Sequence, residues 1–393
     1  MELLYISNYQ FAKKDDGYYS LPAFGNNFWL KYLNVFERLN VLGVEMKNYL
    51  NNGALSKITD DRINVDIIPN NIHPKDFKND SSIKRILEVE IPKAEAILIK
   101  PSSRKGIMAI QIAEKLNKPY MIELTGDLKL TLSTNTSWLK RLYSPILHWQ
   151  ITRAIKNAPF GLYVTEHYLQ TVYPIKGKMC GITDSVIEEI DDKVLEERVK
   201  KISSKTDSEI TNIGLIGSYN GNRKGIDVAI KALSIIENPK IRLNLLYNGA
   251  EEDRNFWFNF ADRYKIRNQI VFPSPKGSTR EVMEWIDTQD LIILPSRSEG
   301  LPRCIVESMS RACPCITSNV CGMPELINNK WIHDPEDYKL LSSLISKMIS
   351  DKKCQIEAAK ENFENSKRFL RSKLTAKRDS FLSEFKDYCN NCE

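Results

Sequence analysis

The twenty residues Leu291-Ile-Ile-Leu294-Pro-Ser-Arg297-Ser-Glu299-Gly300-Leu301-Pro302-Arg-Cys-Ile-Val-Glu307-Ser-Met-Ser310 read as a strand, a turn and a helix. Leu291 to Leu294 is a short, wholly apolar run, the mark of a strand buried on both faces of a parallel sheet. The polar turn ends in Gly300, which permits close backbone approach, and Pro302, which suits the first turn of a helix. Glu299 then falls in the loop and Glu307 about a turn and a half into the helix, roughly 7 Å beyond Pro302 along its axis. Such a loop delivers the unpaired N–H groups of a helix N-terminus to an anion. Two carboxylates around it suit a ligand with hydroxyls at both ends and phosphates in the middle. Taken singly, Glu299 reads as a cap or surface residue and Glu307 as one exposed helix position. Their seven-residue separation, the strand and the Gly-Leu-Pro insert occurring together favour the ligand.

Outward from this stretch, short apolar runs alternate with amphipathic ones, the pattern of βα units. Strand candidates in the second half are Ile213–Ile216, Leu243–Tyr247, Ile270–Phe272, Leu291–Leu294 and Cys315–Thr317. In the first half they are Leu3–Ser7, Val41–Val44, Ala96–Ile99, Tyr120–Leu124 and Gly161–Val164. The charged stretch Glu188–Glu209 separates two sheets and sets a boundary near residue 205, and Pro335–Lys386 reads as helices. A chain of 393 residues with 42% hydrophobic and 27% charged residues suits two domains.

A net charge of +6, dispersed along the chain, excludes a dedicated duplex-nucleic-acid binder and leaves anionic small ligands or an anionic surface open. No run approaches the roughly 18 to 20 apolar residues of a membrane span, and the start at Met1 lacks a leader pattern, so a cytoplasmic protein is expected. Seven of the eight cysteines, all but Cys180, crowd the second half, and all eight read as reduced thiols. Cys313-Pro-Cys315 with Cys321 lacks the paired C-x2-C spacing of a zinc knuckle.

The loop at Glu299, together with Ile213-Gly-Leu-Ile-Gly217-Ser218-Tyr-Asn-Gly-Asn-Arg223-Lys224-Gly225, resembles the family 4 glycosyltransferases of GT-B fold. The likeness extends to Asp290-Leu-Ile-Ile-Leu, Gly322-Met-Pro-Glu325, Phe28 to Phe36 and Lys118 to Asp127. It is nearest to bacterial enzymes of capsule and O-antigen synthesis. It implies an α/β chain of two Rossmann-like domains whose parallel sheets face across a cleft. The first domain, 1–205, would bind acceptor and the second, 206–367, the nucleotide-sugar donor. A helix at 368–393 would return to the first domain, carrying an apolar stripe of Phe369, Leu370, Leu374, Phe381, Leu382 and Phe385 with Arg371, Lys373, Lys377 and Arg378 facing water.

The resemblance implies donor contacts at Gly217, Ser218, Arg223, Lys224, Gly300, Leu301, Pro302 and Glu307, with Glu299 on the sugar hydroxyls and Glu307 on the ribose. It implies acceptor contacts at Gly25, Asn26 and Gly126. Ser218 stands where relatives often have Arg, so Arg223 beside Lys224 would supply that charge. Gly126 stands where many have His, and Asp127 is either its catalytic substitute or an ordinary turn residue. No Asp-x-Asp occurs, and cations with helix amides would neutralise the diphosphate without metal or other cofactor. The family's transfer retains anomeric configuration.

Between Leu128 and Cys180 seven basic residues face one acid, and Trp138, Leu139, Leu142, Tyr143, Ile146 and Trp149 interleave at helical spacing. This suits a polyprenyl-linked saccharide acceptor and peripheral contact of 129–178 with an anionic membrane at its cytoplasmic face. An ordinary helix packed on its own sheet would carry the same residues. Two other functions stay open: a nucleotide-sugar-binding protein with an impaired site, and a dinucleotide-dependent oxidoreductase. The spacing Gly214-x-x-Gly217-x-x-x-Gly221 argues against the latter.

Overall fold

A computed structural model describes residues 1–46, 55–71, 74–134, 137–217, 222–246 and 251–392. Ser218 lies outside the described residues. The first sheet comprises β1 (Glu2–Lys14), β2 (Gly17–Ser20), β3 (Arg38–Glu45), β4 (Ser56–Lys57), β5 (Ile63–Ile68), β6 (Ala96–Ile99), β7 (Tyr120–Leu124), β8 (Phe160–Tyr163) and β9 (Lys178–Gly181). The second comprises β10 (Thr211–Ile216), β11 (Ile241–Leu246), β12 (Ile270–Val271), β13 (Leu291–Leu294), β14 (Cys315–Ser318) and β15 (Ile332–His333).

Helices α1 (Asn26–Leu33), α2 (Asp80–Glu90), α3 (Arg104–Lys115), α4 (Leu128–Ser133), α5 (Trp138–Ile155) and α6 (Tyr168–Val172) follow strands of the first sheet. The rest are α7 (Lys193–Ser204), α8 (Ile226–Ser234), α9 (Glu251–Arg263), α10 (Thr279–Thr288), α11 (Arg303–Ser310), α12 (Tyr338–Ser350), α13 (Lys352–Ser366) and α14 (Arg371–Asn390).

The second sheet is parallel throughout, in the order β12-β11-β10-β13-β14-β15. Its strands β13 and β14 are buried at every position, which is why they read as short apolar runs. The order reverses between β10 and β13, and in open α/β sheets a crevice opens at the carboxyl ends of such strands. The loops beginning at Gly217 and Pro295 flank it. In the first sheet the equivalent reversal lies at β1, which pairs in parallel with β3 on one side and β6 on the other.

Several sequence expectations are corrected. The strand expected to end at Ser7 continues to Lys14 through a register shift between Ile6 and Gln10. Its far end turns back at Asp16-Gly17, with Gly17 at φ +133°, and pairs antiparallel with β2. The first sheet is therefore mixed. The boundary at 205 also moves. Two compact units comprise 1–129, 142–182 and 375–393 in one, and 130–141 with 183–374 in the other. Residues 183–205 join the second unit because Val194 and Ile202 of α7 pack with Ala312, Ala359 and Phe363.

Thr375–Glu393 belongs to the first unit. There Phe385 of α14 lies 5.4 Å from the Phe160 ring and 6.5 Å from that of Phe36. Phe381 lies 5.5 Å from Phe160. Lys386 Nζ donates to the Val35 carbonyl at 3.0 Å. Arg378, expected to face water, is buried on this helix.

Candidate functional site

In the second unit, two glycines let the chain close around a lysine. Gly217 follows β10 at φ +157°, and a Cβ there would sit 2.6 Å from Lys224 Cε. Gly225 opens α8 at φ +67°, where a Cβ would fall 1.9 Å from the Pro295 carbonyl oxygen, a backbone atom with no room to yield. Lys224 is thereby buried, and its Nζ lies 2.6 Å from Glu299 Oε1. Ser296 Oγ donates to the same oxygen at 2.7 Å. Glu299 Oε2 takes no bond among the described residues.

Arg297, which the sequence reading passed over, ties these loops together. Its guanidinium forks onto Asp227 of α8 at 2.9 and 2.8 Å and reaches Glu336 and the Asn222 carbonyl. Its amide donates to the Arg223 carbonyl at 2.8 Å. An arginine inside a turn that already carries a Glu was the available signal. Arg223 itself is exposed.

Pro302 is the N-cap of α11 rather than its first helical residue, and no side chain caps that end. Glu307 is accordingly the fifth residue of α11, nearer its N-terminus than the sequence spacing suggested. Its Oε1 accepts from Arg303 Nε at 2.7 Å. Burial raises its carboxyl above the usual range, with Arg303 opposing the shift. Gly300 and Leu301 are held by their carbonyls, which accept from the Gly322 amide at 3.2 Å and Ser185 Oγ at 3.1 Å. Cys304 nearby is a neutral thiol, its pKa pushed up to about 12 by burial. Lys224, Glu299, Gly300, Leu301, Pro302 and Glu307 thus gather at the carboxyl ends of β10 and β13, a cation and an uncapped helix end between two carboxylates. Among the described residues no three His, Cys, Asp or Glu side chains are placed to hold a metal ion.

In the first unit the expected acceptor residues separate. Asp127 is buried after β7, with Oδ1 accepting from Tyr173 at 2.9 Å and Oδ2 from Tyr168 at 2.8 Å. Tyr173 in turn accepts from the Lys129 amide at 3.2 Å. The carboxylate fastens the α6 region beneath the β7 loop. Beside it, a Cβ on Gly126 would meet nothing within 4 Å, so the space of a larger residue is open. Asn26 instead spends its amide on Thr59, at 2.6 Å to Oγ1 and 3.0 Å from the backbone N–H. A Cβ on Gly25 would come 2.5 Å from Ser56 Oγ. These two join the start of α1 to the β4 region.

A buried polar network at β1, β6 and β7 was not foreseen. Glu123 accepts from Tyr5 and, at 3.0 Å, from Tyr32, and lies 3.8 Å from Lys100, which donates to Tyr9 at 2.6 Å. Burial, then the Glu123 charge, raises the Tyr5 phenol. A Glu inside Tyr120–Leu124 and a Lys just past Ala96–Ile99 were the sequence signs, since a charge in a buried strand requires a partner.

Residues 196–368 match the family model for glycosyl transferases group 1. The whole chain is 29% identical over 394 residues to Protein CapJ of Staphylococcus aureus, covering 97% of that relative. It is 27% identical over 184 residues to the O-antigen biosynthesis glycosyltransferase WclY of Escherichia coli, 45% of this chain and 49% of that one. Among solved structures, Anabaena Alr3699/HepE in complex with UDP superposes with a TM-score of 0.64 at 15% identity, covering 98% of this chain and 100% of the other. The fold is GT-B.

Proposed function

We propose that this GT-B glycosyltransferase, whose residues 196–368 belong to the group 1 glycosyl transferases, retains anomeric configuration as it moves a sugar from a nucleoside-diphosphate sugar to a lipid-linked saccharide of a surface polysaccharide. The O-antigen role of WclY and the UDP bound by HepE support the acceptor and donor classes. The observation that carries the reading is the buried Lys224–Glu299 pair at 2.6 Å beside the uncapped N-terminus of α11.

Lys224, assisted by exposed Arg223 and the α11 amides, neutralises the donor diphosphate. Glu299 Oε2 accepts from a sugar hydroxyl, and Glu307 accepts from the ribose. The bond between sugar C1 and the diphosphate oxygen breaks while a bond from C1 to the acceptor oxygen forms on the same face. The acceptor's proton passes to the departing phosphate oxygen. No step requires a metal or other cofactor. Asp127 acts by positioning Tyr168 and Tyr173. No helix of the described residues is long and apolar enough to cross a membrane, and the basic, aromatic 129–178 region supports peripheral contact with an anionic membrane face.

The test is turnover of UDP- and GDP-sugars with EDTA present, the product anomer being read by NMR. Transfer with retention that survives EDTA is expected. Activity lost to EDTA and restored by Mg2+ or Mn2+ overturns metal independence. Donor binding with no transfer to any acceptor would favour the impaired-site reading, to which the engaged Asp127 and open Gly126 position lend support.

A further inference from the structure

Helix α5 is apolar on two opposite faces. Leu147, Ile151 and Ile155 are buried in the first unit. On the other side Leu142, Ile146 and Trp149 are 64%, 51% and 59% exposed. Steps of four and three residues put these three on one face, and Arg153 continues it. Trp138 and Leu139, in the first turn, are exposed as well. A contiguous apolar stripe of this kind on a soluble surface marks an interaction site.

A groove of about 790 Å³ runs beside the stripe between α3 and α5. Ile107, Met108, Trp149 and Ala154 give it apolar walls, and Arg153, Lys156 and Lys176 line it with positive charge. Among the described residues these three cations make no ion pair; Arg153 lies 5.4 Å from the Trp149 ring. The groove's other charges are one paired cation and one carboxylate. Arg104 is bonded to Asp80, and Glu114 accepts from Tyr120 at 3.0 Å. Lys156 and Lys176 lie just before β8 and β9, at the amino ends of these strands, whereas Asp127 follows the carboxyl end of β7. The groove is therefore separate from the acceptor-side residues.

We infer that the α3–α5 groove seats the phosphate of an anionic phospholipid headgroup among Arg153, Lys156 and Lys176, while Leu142, Ile146 and Trp149 enter the headgroup–acyl boundary of the same bilayer. The inference deepens, and rests on, the reading that the enzyme works at a membrane surface. Charge complementarity selects the occupant. An apolar stripe with a tryptophan and a basic flank matches an anionic bilayer interface. A second copy paired about a two-fold axis would set the same unpaired cations near their own counterparts. A nucleic acid would leave Leu142 and Ile146 without use.

The experiment sediments the full chain with vesicles of phosphatidylcholine alone or mixed with phosphatidylglycerol. The intact protein is expected to bind the mixed vesicles and to release as salt rises. Arg153→Gln/Lys156→Gln/Lys176→Gln should lower that affinity by about a hundredfold. Fluorescence of Trp149, isolated by difference from Trp149→Phe, should shift to the blue on the mixed vesicles. Equal binding to both vesicle types, an unaltered triple variant, or a solution dimer that buries Trp149 overturns the inference. A donor-induced thermal shift retained in the variants shows that they fold. Its absence from the intact protein would count against the proposed function and leave the vesicle result to judge the groove.

Discussion

Lys224 Nζ and Glu299 Oε1 stand 2.6 Å apart, with only 9% and 8% of their side chains exposed. Removing one partner leaves the other charge buried and unpaired, at a cost of about 3 to 5 kcal/mol. Glu299→Ala is therefore expected to abolish transfer and also to lower stability. Glu299→Gln keeps an oxygen for Lys224 and isolates the chemistry. Its kcat/KM should fall by about 100- to 1,000-fold with a smaller loss of Tm. Near wild-type turnover in the Gln variant would remove Glu299 from the site.

Arg297 holds Asp227 through two parallel bonds, a geometry lysine lacks. Arg297→Lys should loosen the Arg223–Lys224 loop against the Glu299 loop. The donor KM is expected to rise about tenfold with kcat less affected, alongside a stability loss of about 1.5 to 3 kcal/mol. Lower stability with an unchanged donor KM would leave Arg297 a purely structural residue.

Lys105 is buried at the start of α3 and donates to the Ser7 carbonyl, and burial lowers its pKa to about 7. Because the folded value lies below that of the unfolded chain, the unfolded state binds more protons between the two. Stability from this group therefore rises with pH from about 7 toward 10, and its penalty is full below 7. Lys105→Met should raise Tm most near pH 6.5 and least near pH 10. A gain of equal size at both values would contradict the buried-amine account.

Phe385 is fully buried between Phe36 and Phe160. Phe385→Ala should cost about 3 to 5 kcal/mol of unfolding free energy in urea. A loss below 1 kcal/mol would mean that α14 adds little to the first unit.

The βα order and the loops after β10 and β13 were legible because their signals are local. Buried parallel strands are bare apolar runs, and Gly217, Gly225, Glu299 and Pro302 mark turns within a few residues of them. The reach of β1 and the placing of 183–205 were not legible, since pairing and packing partners decide them. Neither were the pairings, because Lys224 and Glu299 lie 75 residues apart and Arg297 and Asp227 lie 70 apart. They meet because β10 and β13 are neighbours in the sheet. The sequence of α5 likewise shows apolar residues all round, but only the packing of Leu147 and Ile151 against the unit leaves Leu142, Ile146 and Trp149 outside. Residue type and short spacing determine which elements form and what chemistry they carry; which charge meets which, and which apolar face stays exposed, depends on strands and helices brought together from distant parts of the chain.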